Sequence, residues 1–327
     1  MISRRQIIGT MLGGAAAGWP LGARAQAPAL PVIGLLSGTP YDDRELGAIR
    51  KGLGETGYVE GRNVTIVYRS AEGQYDRLPA LAAELVRLKV AVILAVGGTA
   101  SAVAAKAATA TIPIAFANGG DPVKVGLVPS LNRPGGNVTG VSFFVTTLGA
   151  KRLEVLRELA PTAAAIGFLV NPTNPNIAAE ADDVQEAARA LNLQLHVENA
   201  TNDQDIDAAF ASFGRRRVGA VILAADAYFL SRRAQLAALA ARHALPAMYA
   251  VREHAVAGGL VSYGTDRNDA YRLGGVYAGK LLKGEKAADL PVTQSTKFEL
   301  VINLKTAKAL GLNVSPTLVA RADEVIE

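Results

Sequence analysis

Gly97-Gly98-Thr99 stands between an apolar run and a stretch with helical spacing. Glycines at such a junction leave the first N–H groups of the helix uncovered. Those groups and the helix dipole favour a carboxylate, and Thr99 adds a hydroxyl. The same pair also suits a plain strand-to-helix turn. It is not a dinucleotide fingerprint, because GxGxxG and its downstream acid are absent. A zwitterion held there also needs an acid for its ammonium. Asp121 and Asp226 are the candidates, and Asp226 equally fits a helix cap. Tyr41, Tyr228, Tyr249 and Tyr263 are candidate aromatic walls. Ser37, Gly38, Asn118 and Asn171 follow other apolar runs and complete the candidate set, although Asn171-Pro172 also reads as a turn.

Covalent and metal chemistry find little support. The histidines are His196, His243 and His254, and none forms His-x-His or His-Glu-x-x-His. There is no Gly-x-Ser-x-Gly elbow and no GxxxxGK(S/T) loop. The chain contains no cysteine, which removes disulfides, thiolate metal sites and a Cys nucleophile. No cofactor and no catalysis are expected; an exported α/β enzyme is kept as the alternative.

The elements that must position these residues alternate. Val32–Leu36, Val64–Tyr68, Ala91–Val96 and Ile112–Ala117 read as strands, with helices at Asp43–Thr56, Tyr75–Lys89 and Ala100–Ala108 between them. Apolar runs without strict alternation belong to strands covered on both faces, as in parallel sheets. The pattern then starts again. Ala165–Val170, Leu193–Glu198, Ala220–Ala224 and Ala247–Ala250 read as strands, with helices at Ala178–Leu191, Asp203–Phe213 and Ser231–His243.

The two passes match in detail. AVILA occurs at 91–95 and 220–224; Ile33-Gly34-x-Leu36 returns as Ile166-Gly167-x-Leu169; Ile112-Pro113 returns as Leu245-Pro246. A Gly-Gly-x-Val-(Thr/Ser) segment closes each pass, at 135–139 and 258–262, and a new helix follows each, Thr147–Leu159 and Asp269–Leu282. The expected architecture is α/β: two similar doubly wound parallel-sheet lobes joined by a three-segment hinge. Lobe one takes residues 26–143 plus 264–293, lobe two 144–263 plus 294–327. The loops after the strands then face an interlobe cleft, the preferred small-molecule site of such folds. The crossing strands add Phe143, Phe144 and Tyr263.

The N-terminus speaks to compartment. Arg4 and Arg5 precede a short apolar run, Ile7–Ala17, and Ala23-Arg24-Ala25 supplies a small-x-small cleavage site. That order reads as an export signal over residues 1–25, by the twin-arginine or the general secretory route. Without cysteine there is no lipid-anchor site, so a soluble periplasmic protein is expected. The formal charge of +5 falls to +2 once the signal's three arginines are removed. Nothing in that balance calls for nucleic acid, and a monomer is expected.

The C-terminal half carries the most specific strings: Gly258-Gly259-Leu260-Val261-Ser262-Tyr263-Gly264, Leu281-Leu282-Lys283-Gly284, Asp289-Leu290-Pro291-Val292, Thr296–Ala307, and Arg321-Ala322-Asp323-Glu324-Val325-Ile326. Together with Asp121-Pro122-Val123 and Asn171-Pro172 they make the whole chain resemble the tryptophan/tyrosine-type substrate-binding proteins of ABC importers. The resemblance implies a type I periplasmic-binding fold, capture of a small polar or aromatic solute, possibly an amino acid, and delivery to an ABC permease in the inner membrane. A ligand-sensing receptor component would use the same fold. One departure is local: members often read Val-Ser-Asp-Pro-Val where this chain has Gly119-Gly120-Asp121-Pro122-Val123, after Asn118.

Overall fold

The computed structural model describes residues 30–143 and 147–327. The segment read as an export signal, 1–25, and Phe144 lie outside them. Residues Pro31–Glu327 form one compact unit.

The first pass runs β1 (Val32–Ser37), α1 (Asp43–Glu55), β2 (Thr65–Ser70), α2 (Leu78–Arg87), β3 (Val92–Val96), α3 (Thr99–Ala108), β4 (Ile114–Asn118) and β5 (Val138–Phe143). The second runs α4 (Gly149–Leu159), β6 (Ala165–Val170), α5 (Ile177–Ala190), β7 (Gln194–Asn199), α6 (Asp203–Arg215), β8 (Ala220–Leu223), α7 (Ala227–Ser231), α8 (Arg233–Arg242), β9 (Ala247–Tyr249), α9 (Arg252–Val256) and β10 (Val261–Thr265). The chain then supplies α10 (Arg267–Leu282), β11 (Thr293–Ser295), β12 (Phe298–Asn303), α11 (Leu304–Ala309), α12 (Pro316–Ala320) and β13 (Glu324–Ile326).

Two sheets result, in the orders β11-β5-β4-β3-β1-β2 and β13-β12-β10-β9-β8-β6-β7. Their pairings are parallel except β10 with β12, where Tyr263 faces Leu300 in an antiparallel register. The chain passes between the sheets after β5, between β10 and α10, and between β11 and β12. Each sheet is covered on both faces, which is why its central strands are apolar throughout: β3 and β4 are buried at every residue. In lobe one, Leu35, Val92 and Leu94 pack with α1 and α10, while Leu36, Ile93 and Phe116 pack with α2 and α3. In lobe two, Phe168 and Ile222 face α4 and α5, and Leu169 and Val221 face α6 and α8.

The internal repeat has a packing reason at its glycines. A Cβ on Gly34 would lie 2.9 Å from the Leu85 side chain, and one on Gly167 would lie 2.7 Å from Phe213. The first strand of each lobe is thus pressed by a large side chain of the helix behind it. Two expected helices break. The one expected over Ser231–His243 becomes α7 and α8, because Asp226 caps an earlier start and Arg232 separates the two. The one expected from Tyr75 begins as a single 3-10 turn, Tyr75–Arg77, before Pro79 opens α2.

Candidate ligand site

The carboxyl ends of both sheets' strands meet around a cavity of about 580 Å³, part of it open to solvent. Lobe one contributes Thr39 after β1, Gly97-Gly98-Thr99 after β3, Gly119 after β4, Phe143 of β5, and Tyr75. Lobe two contributes Asn174 and Asn176 after β6, Ala224 to Ala227 after β8, Leu230, and Ala250, Val251 and His254 after β9. Arg267 and Tyr271, one turn apart on α10, close the hinge side.

The turn after β3 is built for close approach. Gly97 has φ +69°, and a Cβ there would fall 2.4 Å from Ser37 Oγ; only glycine fits both demands. Helix α3 then starts at Gly98 with no side-chain cap. On the opposite wall Asp226 caps α7. Its Oδ1 accepts from Phe229 N (3.1 Å) and Asn171 Nδ2 (3.2 Å), and its Oδ2 from Asn174 Nδ2 (3.0 Å) and Tyr75 Oη (2.7 Å). Burial raises the Asp226 carboxyl above its usual range, and the bonds from Tyr75 and Asn171 work against that rise.

Arg267 is buried. Its Nη2 lies 2.6 Å from Glu45 Oε1 and donates to Tyr271 Oη at 2.8 Å. Burial opposes its charge, but Glu45, Tyr271 and Glu253 overcome that and hold the guanidinium protonated. Its Nη1 has no hydrogen-bond partner, and neither has Asn176 Oδ1. Unpaired polar atoms in a buried position are costly unless something else pairs with them. Their clustering around one cavity marks it as a place where a polar molecule sits.

Beneath the lobe-two wall, a fully buried ion pair fixes two strand ends. Arg152 Nη1 meets Glu180 Oε1 at 2.9 Å and Arg152 Nε donates to Tyr263 O at 2.9 Å. Glu180 in turn accepts from Ala225 N at 3.0 Å.

The structure sorts the residues expected from sequence. Gly98, Thr99 and Asp226 line the cavity, as does Phe143. Asn171 stands one layer back, behind Asp226. Ser37 and Gly38 underlie the glycine turn: Ser37 Oγ donates to Thr39 O at 2.7 Å, and Gly38 lies against the Gly97 carbonyl. Tyr41 is turned into lobe one, its hydroxyl donating to Leu35 O at 2.7 Å and accepting from Arg69 N. Asn118 is buried at the end of β4 but does not reach the cavity, and Asp121 caps its own turn through Val123 N and Lys124 N. Tyr249 is wholly buried and stacks on His254 from behind, at 4.7 Å. The Tyr263 ring stacks on Phe298 along β12, and the Tyr228 hydroxyl donates to Asp203. Tyr75, Asn174, Asn176, His254, Arg267 and Tyr271 line the cavity without having been singled out as ligand residues.

The local departure at 118–120 has a spatial reason. A Cβ on Gly120 would lie 2.3 Å from Asn176 Oδ1 and 2.6 Å from Thr99 Oγ1. A side chain from lobe two occupies the space a larger residue would need. Asn176 Nδ2 there donates to Thr99 Oγ1 at 2.9 Å, across the two lobes.

Two α/β lobes clasped over a cavity lined by unpaired polar groups define a solute-binding protein. A family model described as ABC transporter substrate binding protein matches residues 31–326, and the chain belongs to that family. It is 29% identical over 273 residues to a tyrosine-binding protein of Clostridioides difficile (strain R20291), covering 84% of this chain and 78% of that one. An ABC domain from Streptococcus pneumonia in complex with L-Trp is similar with TM-score 0.84 and 25% identity, over 91% of this chain and 100% of that one. A ligand-free, open substrate-binding protein with adhesive properties from Clostridium difficile gives 0.65 at 26% identity, over 91% and 99%.

Proposed function

We propose that this chain is the exported solute-binding component of an ABC import system, capturing a small carboxylate-bearing solute between its lobes and passing it to an inner-membrane permease. The observation that carries this reading is the interlobe cavity with buried Arg267 Nη1 and Asn176 Oδ1, neither of which makes a hydrogen bond. The lining offers apolar walls for a hydrocarbon or aromatic body and donors for an acid group. An amino acid or an aromatic acid fits that pattern, and the relatives' ligands, tyrosine and L-Trp, belong to the same size class. Residues 1–25 act as the export signal, the protein works as a monomer in the periplasm, and its ligand leaves chemically unchanged. Lobe one is taken as 26–143 with 264–293, and lobe two as 144–263 with 294–327.

Ligand contacts both lobes and so favours the closed arrangement by differential affinity. A micromolar Kd corresponds to about 8 kcal/mol. At a hundredfold excess over Kd, the ligand adds about 2.7 kcal/mol and raises Tm by about 4 °C. A thermal-shift screen of amino acids, aromatic acids, sugars and nucleosides tests the reading. A saturable rise with one class supports it; an unmoved Tm with every class removes it.

A further inference from the structure

The free hydrogen-bonding capacity of the cavity is unequal. Asp226 is the one carboxylate residue lining it among the described residues. A carboxylate offers about four lone-pair positions. All are taken by Asn171, Asn174, Tyr75 and the Phe229 amide. An ammonium brought to Asp226 would have to displace one of these donors. Among the described lining residues the other side-chain acceptors, which include Asn176 Oδ1, a His254 nitrogen and the hydroxyls, are all uncharged.

Donors remain in greater supply. Arg267 Nη1 makes no hydrogen bond: its ion-pair partner Glu253 Oε2 lies 3.6 Å away, which leaves its N–H groups free to donate to a ligand. Glu253 also lines a second pocket, with Asp42, Arg44, Arg233 and Arg252. The Tyr271 hydroxyl accepts from Arg267 Nη2 and from Gly97 N at 3.0 Å and donates to no described residue. The Thr99 hydroxyl accepts from Asn176 and likewise donates to no described residue. These three stand by the uncapped start of α3, whose N–H groups and dipole favour an anion. Phe143, Leu230 and Val251 supply the apolar remainder.

We infer that the cleft selects a monocarboxylate with an apolar or aromatic body and no α-ammonium group, an arylalkanoic acid rather than the corresponding amino acid. This rests on the solute-binding reading above and narrows it. The acid group is held by Arg267 Nη1, the Tyr271 and Thr99 hydroxyls and the first turn of α3.

Titration calorimetry on the purified full chain with matched pairs tests the inference: 3-(indol-3-yl)propionate against L-tryptophan, 3-(4-hydroxyphenyl)propionate against L-tyrosine, with tryptamine and tyramine as amines lacking the acid. At least one desamino acid is expected to bind about tenfold or more tighter than its amino acid, and the amines not to bind. An amino acid binding as tightly as its desamino partner overturns the inference and leaves the solute-binding reading standing. So does silence from both desamino acids when a sugar, nucleoside or other solute binds; silence from every solute removes both. Tyr271→Phe, which keeps the Arg267–Glu45 pair, is expected to weaken the bound acid about tenfold, and Arg267→Gln more. Unchanged affinity in a folded Tyr271→Phe together with unchanged affinity in Arg267→Lys overturns the proposed carboxylate contacts.

Discussion

His254 packs its buried imidazole flat against Tyr249. Burial lowers its pKa to about 4 from 6.5. The folded protein therefore binds fewer protons than the unfolded chain below pH 6.5, so stability falls as pH drops through that window and levels off below about 4. Between pH 7 and pH 4.5 this one group is expected to remove about 2 to 3 kcal/mol. Glu45 and Glu299, raised to about 7 by burial, act with the opposite sign over part of that range. The check is therefore a difference: urea unfolding of the native chain and of His254→Phe at both pH values, with the variant lacking that acid-side loss. Equal losses in the two proteins would place the titrating group elsewhere. At this scale the sequence was only partly legible. Asp226 could be found because it stands two residues after the AVILA strand. Arg267 and Tyr271 could not be found that way, because they sit inside a helix, four residues apart, and reach the cavity only through the packing of that helix. Their i, i+4 spacing just after a crossing between lobes was the available signal.

Helices α1 and α10 touch backbone to backbone. A Cβ on Gly52 would lie 1.8 Å from Arg272 O, and one on Gly275 2.3 Å from Ile49 O. Glycine inside a helix ordinarily costs stability, and here the close contact offsets it. Gly275→Ala is expected to force the helices apart, costing about 1 to 3 kcal/mol and lowering Tm. It should also weaken ligand binding, because α10 carries Arg267 and Tyr271 at its start. An unchanged Tm would mean the pair can separate freely. The eight strands of the two passes were legible to within about two residues, because most of these buried parallel strands are runs of Val, Ile, Leu and Ala; β11 and β13, short and polar, had no such signal. The glycines of α10 read as neutral helix residues. Their meaning depends on a partner helix more than two hundred positions earlier, and that contact has no local signature.

Across the whole molecule, the Tyr75 hydroxyl ties the lobes together, donating to Asp226 Oδ2 and accepting from Ala227 N at 3.1 Å. Tyr75→Phe removes both bonds without changing the ring. The unliganded variant is expected to open, with a larger radius of gyration in small-angle X-ray scattering than the native chain. Affinity should fall about five- to tenfold, since the ligand must then supply more of the drive for closure. Identical scattering from the two proteins would show that these bonds do not hold the closed state. The two-lobed plan was legible from the near-repeat. The latch was not, because Tyr75 and Asp226 are far apart in sequence and share no motif.

The return of the chain to lobe one has a consequence for how the protein is made. Helix α10 and edge strand β11 come from residues 267–295, after nearly all of lobe two has been synthesised. A nascent chain therefore carries α1 with Ile49 and Leu53 uncovered until α10 leaves the ribosome. Lobe two in turn waits for β12 and β13. Neither half can mature as a unit during translation, and a chain stopped before residue 293 leaves both halves unfinished.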